Sequence, residues 1–192
     1  KKKPLIFARS ITELHNSKRL IYLLKKLNNR SLGSILFSRN YIRSQFKYSK
    51  SKQIQFSTER FRKINSRRFY NCGIAEATMT GIASGLAASG LMPITYTITP
   101  FNTMRCLEQI KLDICYPNLP TIIVGTGSGL SYASLGSTHH SIHDIAVLRA
   151  INNIDIVVPA DNFETREVIK SAVNYKHPLF IRFGKKPMMK IN

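Results

Sequence analysis

From Arg68 onward, short apolar runs alternate with helical patterns, and this alternation constrains the fold more than any other feature. Buried strands are predicted at RFYNCG (68–73), PITYTIT (93–99), PTIIVG (120–125), IDIVVP (154–159) and PLFIRFG (178–184). Helices are predicted at 76–89, 101–114, near 141–151 and at 162–175, with Gly90 ending the first and Asp161 or Asn162 capping the last. The pattern predicts an α/β fold with a mostly parallel twisted sheet and helices on both faces.

In such folds, ligands bind beyond the carboxyl ends of the parallel strands. The loops that start at Gly73, Thr99, Gly125, Pro159 and Gly184 are therefore expected at one edge of the sheet. Candidate functional residues should come from these loops.

The positive charge is concentrated in the first third of the chain. Residues 1–68 hold 19 Lys plus Arg against two acids, whereas residues 69–192 hold 10 against 8. We therefore divide the chain into a basic, divergent or partly disordered segment, 1–66, and a globular domain, 67–192. Apolar residues recur at helical spacing over residues 6–28, although the run RLIYLL also fits a strand. For residues 29–66 the sequence predicts loops or disorder with one short helix. The segment is either a solvated tail or an arm for RNA or an acidic surface.

The three cysteines form neither a paired framework nor a CxxC motif, which favours a reduced, cytoplasmic setting. No apolar run approaches the roughly 20 residues of a membrane span, and no secretory signal is present. The Arg-, Lys- and Ser-rich start also fits an organelle transit peptide loosely, so organelle targeting stays open.

Glu76 is the single acid in NCGIAEATMTGIASGLAASG (71–90). A carboxylate in the first turn of a helix stabilises the free backbone N–H groups there, and this structural role is the usual one. The small residues of the helix also permit close approach of a flat ligand. A sheltered carboxyl group can share a proton with a ring nitrogen.

Two further motifs carry polar chemistry. GTGSG (125–129) follows a strand and resembles a phosphate loop, but its spacing matches neither a Walker loop nor GxGxxG. STHHSIH places His139 and His143 four residues apart, without the additional ligands that a zinc site needs. We therefore predict no metal site in this chain.

RFYNCGIAEATMTGIASGLAASGLMPITYTITPF resembles the pyrimidine-binding domain of transketolases and 1-deoxy-xylulose-5-phosphate synthases. The tetrapeptide GIAE is supported by FNTMRCLEQIKLDICYPNLP, GSGLSYASLGSTHHSIHDIAVLRAI and VVPADNFETREVI, in the same order, from about residue 67 to 186. The resemblance implies a thiamine diphosphate cofactor and transfer of a two-carbon ketol unit.

The resemblance also implies roles for particular residues. The GIAE glutamate, Glu76, is the catalytic residue, because it hydrogen-bonds the aminopyrimidine ring and favours the tautomer that deprotonates the thiazolium carbon. Ile74 lines the cofactor site, and Phe101 stacks on the aminopyrimidine. A second aromatic of the family, six residues further on, is Leu107 here.

His139, Arg105 and Lys185 are the substrate-binding candidates by the same resemblance. His139 matches the family histidine that contacts phosphate or hydroxyl groups, and Arg105 matches an arginine that faces substrate phosphate. A salt bridge from Arg105 to Glu108 or Asp113 is an equal alternative. Lys185 lies near a phosphate-binding arginine of the family, and surface charge is the alternative.

Two departures from the family pattern concern the sugar. Gly127 stands where true transketolases carry a histidine, and Leu135 stands where many relatives place an Asp that binds a sugar hydroxyl. Both argue against an ordinary pentose-phosphate substrate and favour an altered donor.

The family's diphosphate-binding domain, with its GDG run that holds Mg²⁺, is not found in this sequence. The resemblance therefore implies half a cofactor site, completed by a diphosphate-binding subunit or domain in a homo- or hetero-oligomer. A gene fragment is the other interpretation. The alternative functions are a non-catalytic module whose basic arm binds RNA or a partner, and a pseudo-enzyme subunit that only stabilises its companion.

Overall fold

The computed structural model describes the backbone of residues 4–8, 35–37 and 66–184, and the side chains of 66–184. Its strands are β1 (Pro4–Ala8), β2 (Ile35–Phe37), β3 (Phe69–Asn71), β4 (Met92–Ile98), β5 (Ile122–Thr126), β6 (Asp155–Val157) and β7 (Leu179–Phe183). All pairings between these strands are parallel. The parallel α/β fold expected from the alternating pattern is confirmed.

The centre of the sheet runs in the order β4, β5, β7, β6. Ile94 is aligned with Ile122, which is aligned in turn with Leu179, and Leu179 with Asp155. Strands β1 and β2 lie on the other side of β4, and each of them pairs with both β4 and β3. Ile6 of β1 and Ile35 of β2 are therefore both aligned with Phe69 and with Ile94. The carboxyl ends of the strands therefore lie at one edge, as predicted.

The N-terminal third differs from expectation in its described parts. Residues 6–8, which lie within the predicted helical stretch, belong to strand β1, and β2 lies where loops and a short helix were predicted. Short apolar runs such as PLIFA and ILF satisfy either periodicity, and pairing with the sheet decides between them. The run RLIYLL lies outside the described residues.

The helices are α1 (Glu76–Ala88), α2 (Thr99–Asn102), α3 (Leu107–Gln109), α4 (Asp144–Arg149) and α5 (Asn162–Ala172), with 3₁₀ turns at Ser66–Arg68, Met104–Cys106 and Ala133–Leu135. Gly90, with φ of 86°, follows the end of α1. Asp161 caps α5, because its Oδ1 accepts a hydrogen bond from Glu164 N at 2.8 Å. Both predicted helix boundaries are thus observed.

The predicted continuous helix over 101–114 is wrong. The segment is divided into α2, the 3₁₀ turn, α3 and a π-helix at Ile110–Cys115. The break falls at Thr103, whose φ of −128° and ψ of −82° are not helical and whose Oγ1 donates to Thr99 O at 2.8 Å. The non-helical backbone of Thr103 therefore ends α2 and separates it from the 3₁₀ turn that follows.

Two apolar clusters cover opposite faces of the sheet. One joins Met92, Ile94 and Tyr96 of β4 to Ile169 and Ala172 of α5. The other joins Ile123 of β5 and Phe180 of β7 to Leu148 of α4 and to Cys106, Ile110, Ile114 and Cys115. Alternate residues of a strand point to opposite faces, so a sheet buried on both sides needs the continuous apolar runs seen in the sequence.

No helix within residues 66–184 is both long enough and apolar enough to cross a bilayer.

Gly125 in β5 should tolerate no side chain. A Cβ at this position would lie 2.9 Å from Phe180 Cε2 and 2.9 Å from Thr99 Oγ1. We expect Gly125→Ala to lower the free energy of unfolding by about 1–3 kcal/mol, because the neighbouring side chains must move from a packed arrangement. Urea unfolding would measure this effect.

Gly85→Ala is the matched control, because a Cβ there meets nothing within 4 Å. The alanine should stabilise α1 by up to about 1 kcal/mol through helix propensity. An equal response of the two variants would contradict the packing argument.

Candidate functional site

Glu76 lies at the first position of α1, just beyond the carboxyl end of β3. The chain turns between them at Gly73, whose φ is 73° and whose N donates to Asn71 Oδ1 at 3.0 Å. The Glu76 side chain is only 2% exposed. The helix start therefore holds a carboxylate inside the protein at the edge of the sheet where ligands of such folds bind.

Arg105 pairs with this carboxylate, because Arg105 Nη1 donates to Glu76 Oε2 at 2.8 Å. The partner is therefore neither Glu108 nor Asp113, the two acids considered from the sequence. The Arg105 side chain is 43% exposed, so the pair joins a buried anion to a cation at the surface. The Arg105 Cζ atom also lies 4.1 Å from the centroid of the Phe101 ring.

Phe101 sits in α2, directly beyond β4, and is 6% exposed. The ring of His139 lies edge-on to it, with centroids 5.1 Å apart and an interplanar angle of 76°. Tyr132 makes a second edge contact with His139 at 6.0 Å and is buried in one cluster with Ile98 and Phe101. The loops after β4 and β5 thus bring three rings together beside the Glu76–Arg105 pair.

Buried hydrogen bonds fix α2 against the sheet. Asn102 Nδ2 donates to Thr95 Oγ1 at 3.1 Å and to Val124 O at 2.9 Å, and Thr99 Oγ1 donates to Thr126 O at 2.8 Å. These hydrogen bonds tie α2 to β4 and β5. They determine where the Phe101 ring lies.

The loop after β5 carries His139 and returns on itself. Gly129 and Ser141 form an isolated antiparallel bridge, and Thr138 Oγ1 lies 2.9 Å from His139 Nδ1. Below this loop, Arg182 Nε donates to Asp144 Oδ2 at 2.6 Å, and Arg182 Nη2 donates to Ser141 O at 3.2 Å. A buried ion pair therefore ties the loop to β7.

The described contacts do not include two other predicted site residues, Ile74 and Lys185. The Ile74 side chain is 47% exposed, and Lys185 lies outside the described residues. Their proposed roles stay predictions. Within residues 66–184, no group of three or more His, Cys, Asp or Glu side chains is arranged to hold a metal ion.

Tyr132, Asn102, Asp144 and Arg182 were not singled out from the sequence. An arginine inside the apolar strand LFIRF was the available signal, because a charge in a buried strand requires a partner. Nothing in the sequence pointed to Tyr132 or Asn102 in particular, since their partners come from separate segments.

The Cys72 thiol, between β3 and α1, is expected to be unreactive near neutral pH. Burial raises its pKa from 9.0 to about 11. Since the thiolate is the nucleophile, alkylation of Cys72 by iodoacetamide at pH 8 should be about 100-fold slower than that of an ordinary thiol. The rate should increase with pH until about pH 11. Peptide-level mass spectrometry would measure it, and a rate equal to that of a model peptide at pH 8 would contradict the expectation.

The protein is a parallel α/β domain that carries a buried acid at the start of a helix, beyond the carboxyl ends of the strands, and an aromatic ring close to that acid. The family model "Transketolase, pyrimidine binding domain" matches residues 18–190. This chain belongs to the transketolase pyrimidine-binding domain family. The match begins upstream of the boundary proposed at 66/67.

Individual relatives agree with this assignment. A subunit of the apulose-4-phosphate transketolase from Actinobacillus succinogenes is 43% identical over 125 residues, 65% of this chain and 40% of the relative. A 6-deoxy-6-sulfo-D-fructose transketolase subunit from a Clostridium species is 32% identical over 136 residues, 71% of this chain and 42% of the relative. The chain thus spans about two fifths of the length of these curated relatives.

A solved structure, described as a split gene transketolase in an inactive beta4 tetramer, is similar over 96% of this chain and 55% of its own. Its TM-score is 0.72 and its sequence identity 30%.

Proposed function

We propose that this chain provides the pyrimidine-binding half of a thiamine diphosphate site in an enzyme that transfers a two-carbon ketol unit between sugar-type substrates. The observation that carries the proposal is the Glu76 carboxylate, buried at the start of α1 and joined through Arg105 to the Phe101 ring. Membership of the transketolase pyrimidine-binding family supports it.

The residues present fit an aminopyrimidine. A planar, nitrogen-bearing guanidinium already lies against both groups, with a hydrogen bond to Glu76 and its carbon 4.1 Å from the centroid of the Phe101 ring. A flat ring with a donor nitrogen has the same complementarity: an edge for the carboxylate and a face for the aromatic ring. Glu76 and Phe101 would hold the pyrimidine.

When bound, thiamine diphosphate supplies the carbon nucleophile that accepts the ketol fragment. This chain would position the pyrimidine ring of the cofactor and polarise it. Glu76 would hold a proton between a carboxyl oxygen and a ring nitrogen, and the low exposure of this carboxylate keeps water from competing for that proton. Phe101, held by the bonds around Asn102, would fix the plane of the ring.

We further propose that a companion subunit or domain binds the diphosphate and Mg²⁺. The sequence contains no GDG run, and residues 66–184 contain no side-chain cluster suited to a metal ion. The relatives named as transketolase subunits and the solved split gene transketolase support an oligomeric, divided enzyme. We place the assembly in the cytoplasm, where the three cysteines, which form no disulfide, stay reduced.

The substrate is proposed to be a sugar that carries an anionic group. His139 is 8% exposed beside Phe101, and Arg105 presents a partly exposed guanidinium against the same ring, which together suit a hydroxyl and an anionic oxygen. Relatives named for apulose 4-phosphate and 6-deoxy-6-sulfofructose support an unusual donor. Leu135, which cannot bind a sugar hydroxyl, is 38% exposed.

Calorimetry with thiamine diphosphate and Mg²⁺ tests this proposal. The companion would be a GDG-bearing protein obtained by pull-down with the full chain or from a neighbouring reading frame. We expect the two proteins together to bind the cofactor at least about ten times more tightly than either protein alone, because each holds part of it. Binding by the companion that is unchanged when this chain is added would contradict the proposal.

A further inference from the structure

Arg105 contacts both Glu76 and Phe101, the two side chains that the proposed function assigns to binding of the aminopyrimidine. Its Nη1 donates to Glu76 Oε2 at 2.8 Å, and its Cζ lies 4.1 Å from the Phe101 ring centroid. The guanidinium is planar, cationic and rich in N–H donors, so it can form an ion pair with a carboxylate and a cation–π contact with an aromatic ring at the same time.

The guanidinium and a stacked ring exclude each other at this place. Phe101 is 6% exposed and His139 packs edge-on against it, while Arg105 is 43% exposed. The guanidinium covers one face of the Phe101 ring, with Cζ 4.1 Å from the ring centroid, and the same group bonds Glu76. A flat ligand that stacks on this face and bonds Glu76 must therefore displace Arg105 from the ring.

We propose that Arg105 is an internal surrogate for the aminopyrimidine, which closes the half-site in the free chain and leaves when the cofactor ring binds. This inference rests on the proposed function and adds to it a competition within this chain. Glu76 is 2% exposed, and a cation beside a buried carboxylate offsets part of the cost of burying that charge. The half-exposed arginine side chain supplies a cation that can leave into solvent.

Displacement has a second consequence. The guanidinium that leaves Glu76 is then released at the mouth of the site, next to the ring against which His139 packs. Binding of the cofactor ring would thus make a cation available for the anionic group of the sugar.

NMR of arginine side chains tests the closed state of the free chain. Protons of Arg105 next to the Phe101 ring should show upfield ring-current shifts, assigned by their loss in Arg105→Met. The shifts should disappear in Phe101→Leu and diminish in Glu76→Gln. Absence of ring-current shifts in the free wild-type chain would overturn the inference without touching the proposed function.

Competition is tested with 4-amino-5-hydroxymethyl-2-methylpyrimidine, a probe that lacks phosphate and so cannot be attracted by the arginine charge. We expect Arg105→Met in the full chain to bind this probe about 3- to 10-fold more tightly than the wild type, the range expected for loss of a half-exposed ion pair and cation–π contact. Arg149→Met, at an exposed arginine at the end of α4, is the matched control and should bind as the wild type does.

The outcomes separate the two proposals. Tighter binding by Arg105→Met, together with loss of the wild-type ring-current shifts on titration, supports the surrogate role. Equal affinity of wild type and Arg105→Met, or shifts that persist when the probe is bound, overturns that role and leaves the pyrimidine site intact. Failure of Arg105→Met to bind the probe at all contradicts the pyrimidine site itself, and the surrogate role with it.

Discussion

Replacing Glu76 with glutamine should lower kcat of the complete enzyme by about 10²- to 10⁴-fold, the range for loss of a positioned acid–base group. Glutamine keeps the shape of the side chain, and its amide oxygen can still accept the hydrogen bond from Arg105 Nη1. It cannot hold a transferable proton opposite a ring nitrogen. Steady-state ketol transfer by this chain with its companion subunit would measure the effect, with circular dichroism to show that the fold is kept.

Glu167→Gln provides the control, because Glu167 lies on the exposed side of α5 and pairs there with Lys170. It removes the same charge away from the site and should leave kcat unchanged within about twofold, since exposed ion pairs contribute little. Full activity of Glu76→Gln would show that the carboxylate stabilises the helix start and does no chemistry. The capping interpretation of the sequence would then be the correct one.

Removing Arg182 should destabilise the fold more than any other single change considered. Asp144 is 1% exposed, and its carboxylate receives Arg182 Nε at 2.6 Å. Arg182→Met would leave this carboxylate buried without its cation, which is expected to cost about 3–5 kcal/mol. Urea unfolding monitored by circular dichroism would measure the loss of free energy of unfolding.

A double-mutant cycle measures the interaction energy between Arg182 and Asp144 separately from their other contacts. Arg182→Met combined with Asp144→Leu removes both charges, and the double variant should lose less stability than the sum of the two single variants. Additive losses would contradict a direct coupling between the two side chains. Because Arg182 also bonds Ser141 O, the variants should loosen the loop that carries His139.

Local sequence patterns predicted the elements whose signals are local. The strands from Phe69 to Phe183, the start of α1 at Glu76 and the Asp161 cap all depend on residues within a few positions of one another. The break at Thr103 was missed, although it too is local. A helical apolar pattern continues across it, whereas the backbone angles of Thr103 are not helical.

The candidate site was predicted only in part, because its contacts are not local. Glu76 and Arg105 are 29 residues apart, and the alternatives drawn from the sequence paired Arg105 with nearer acids on the same predicted helix. Arg105 lies in the 3₁₀ turn after the break and pairs with Glu76 at the start of α1. The contact of His139 with Phe101 likewise joins loops that follow two neighbouring strands.

The parallel α/β class, the order of the elements from Phe69 onward and the acid at the start of α1 could all be predicted from local sequence patterns. These depend on hydrophobic periodicity, turn residues and capping, which act over one or two turns of chain. The contacts of Glu76 with Arg105 over the Phe101 ring, and of Asp144 with Arg182, follow only from the tertiary structure. These pairs form because the parallel sheet brings together segments that are distant in the sequence, and buried charges must find partners there.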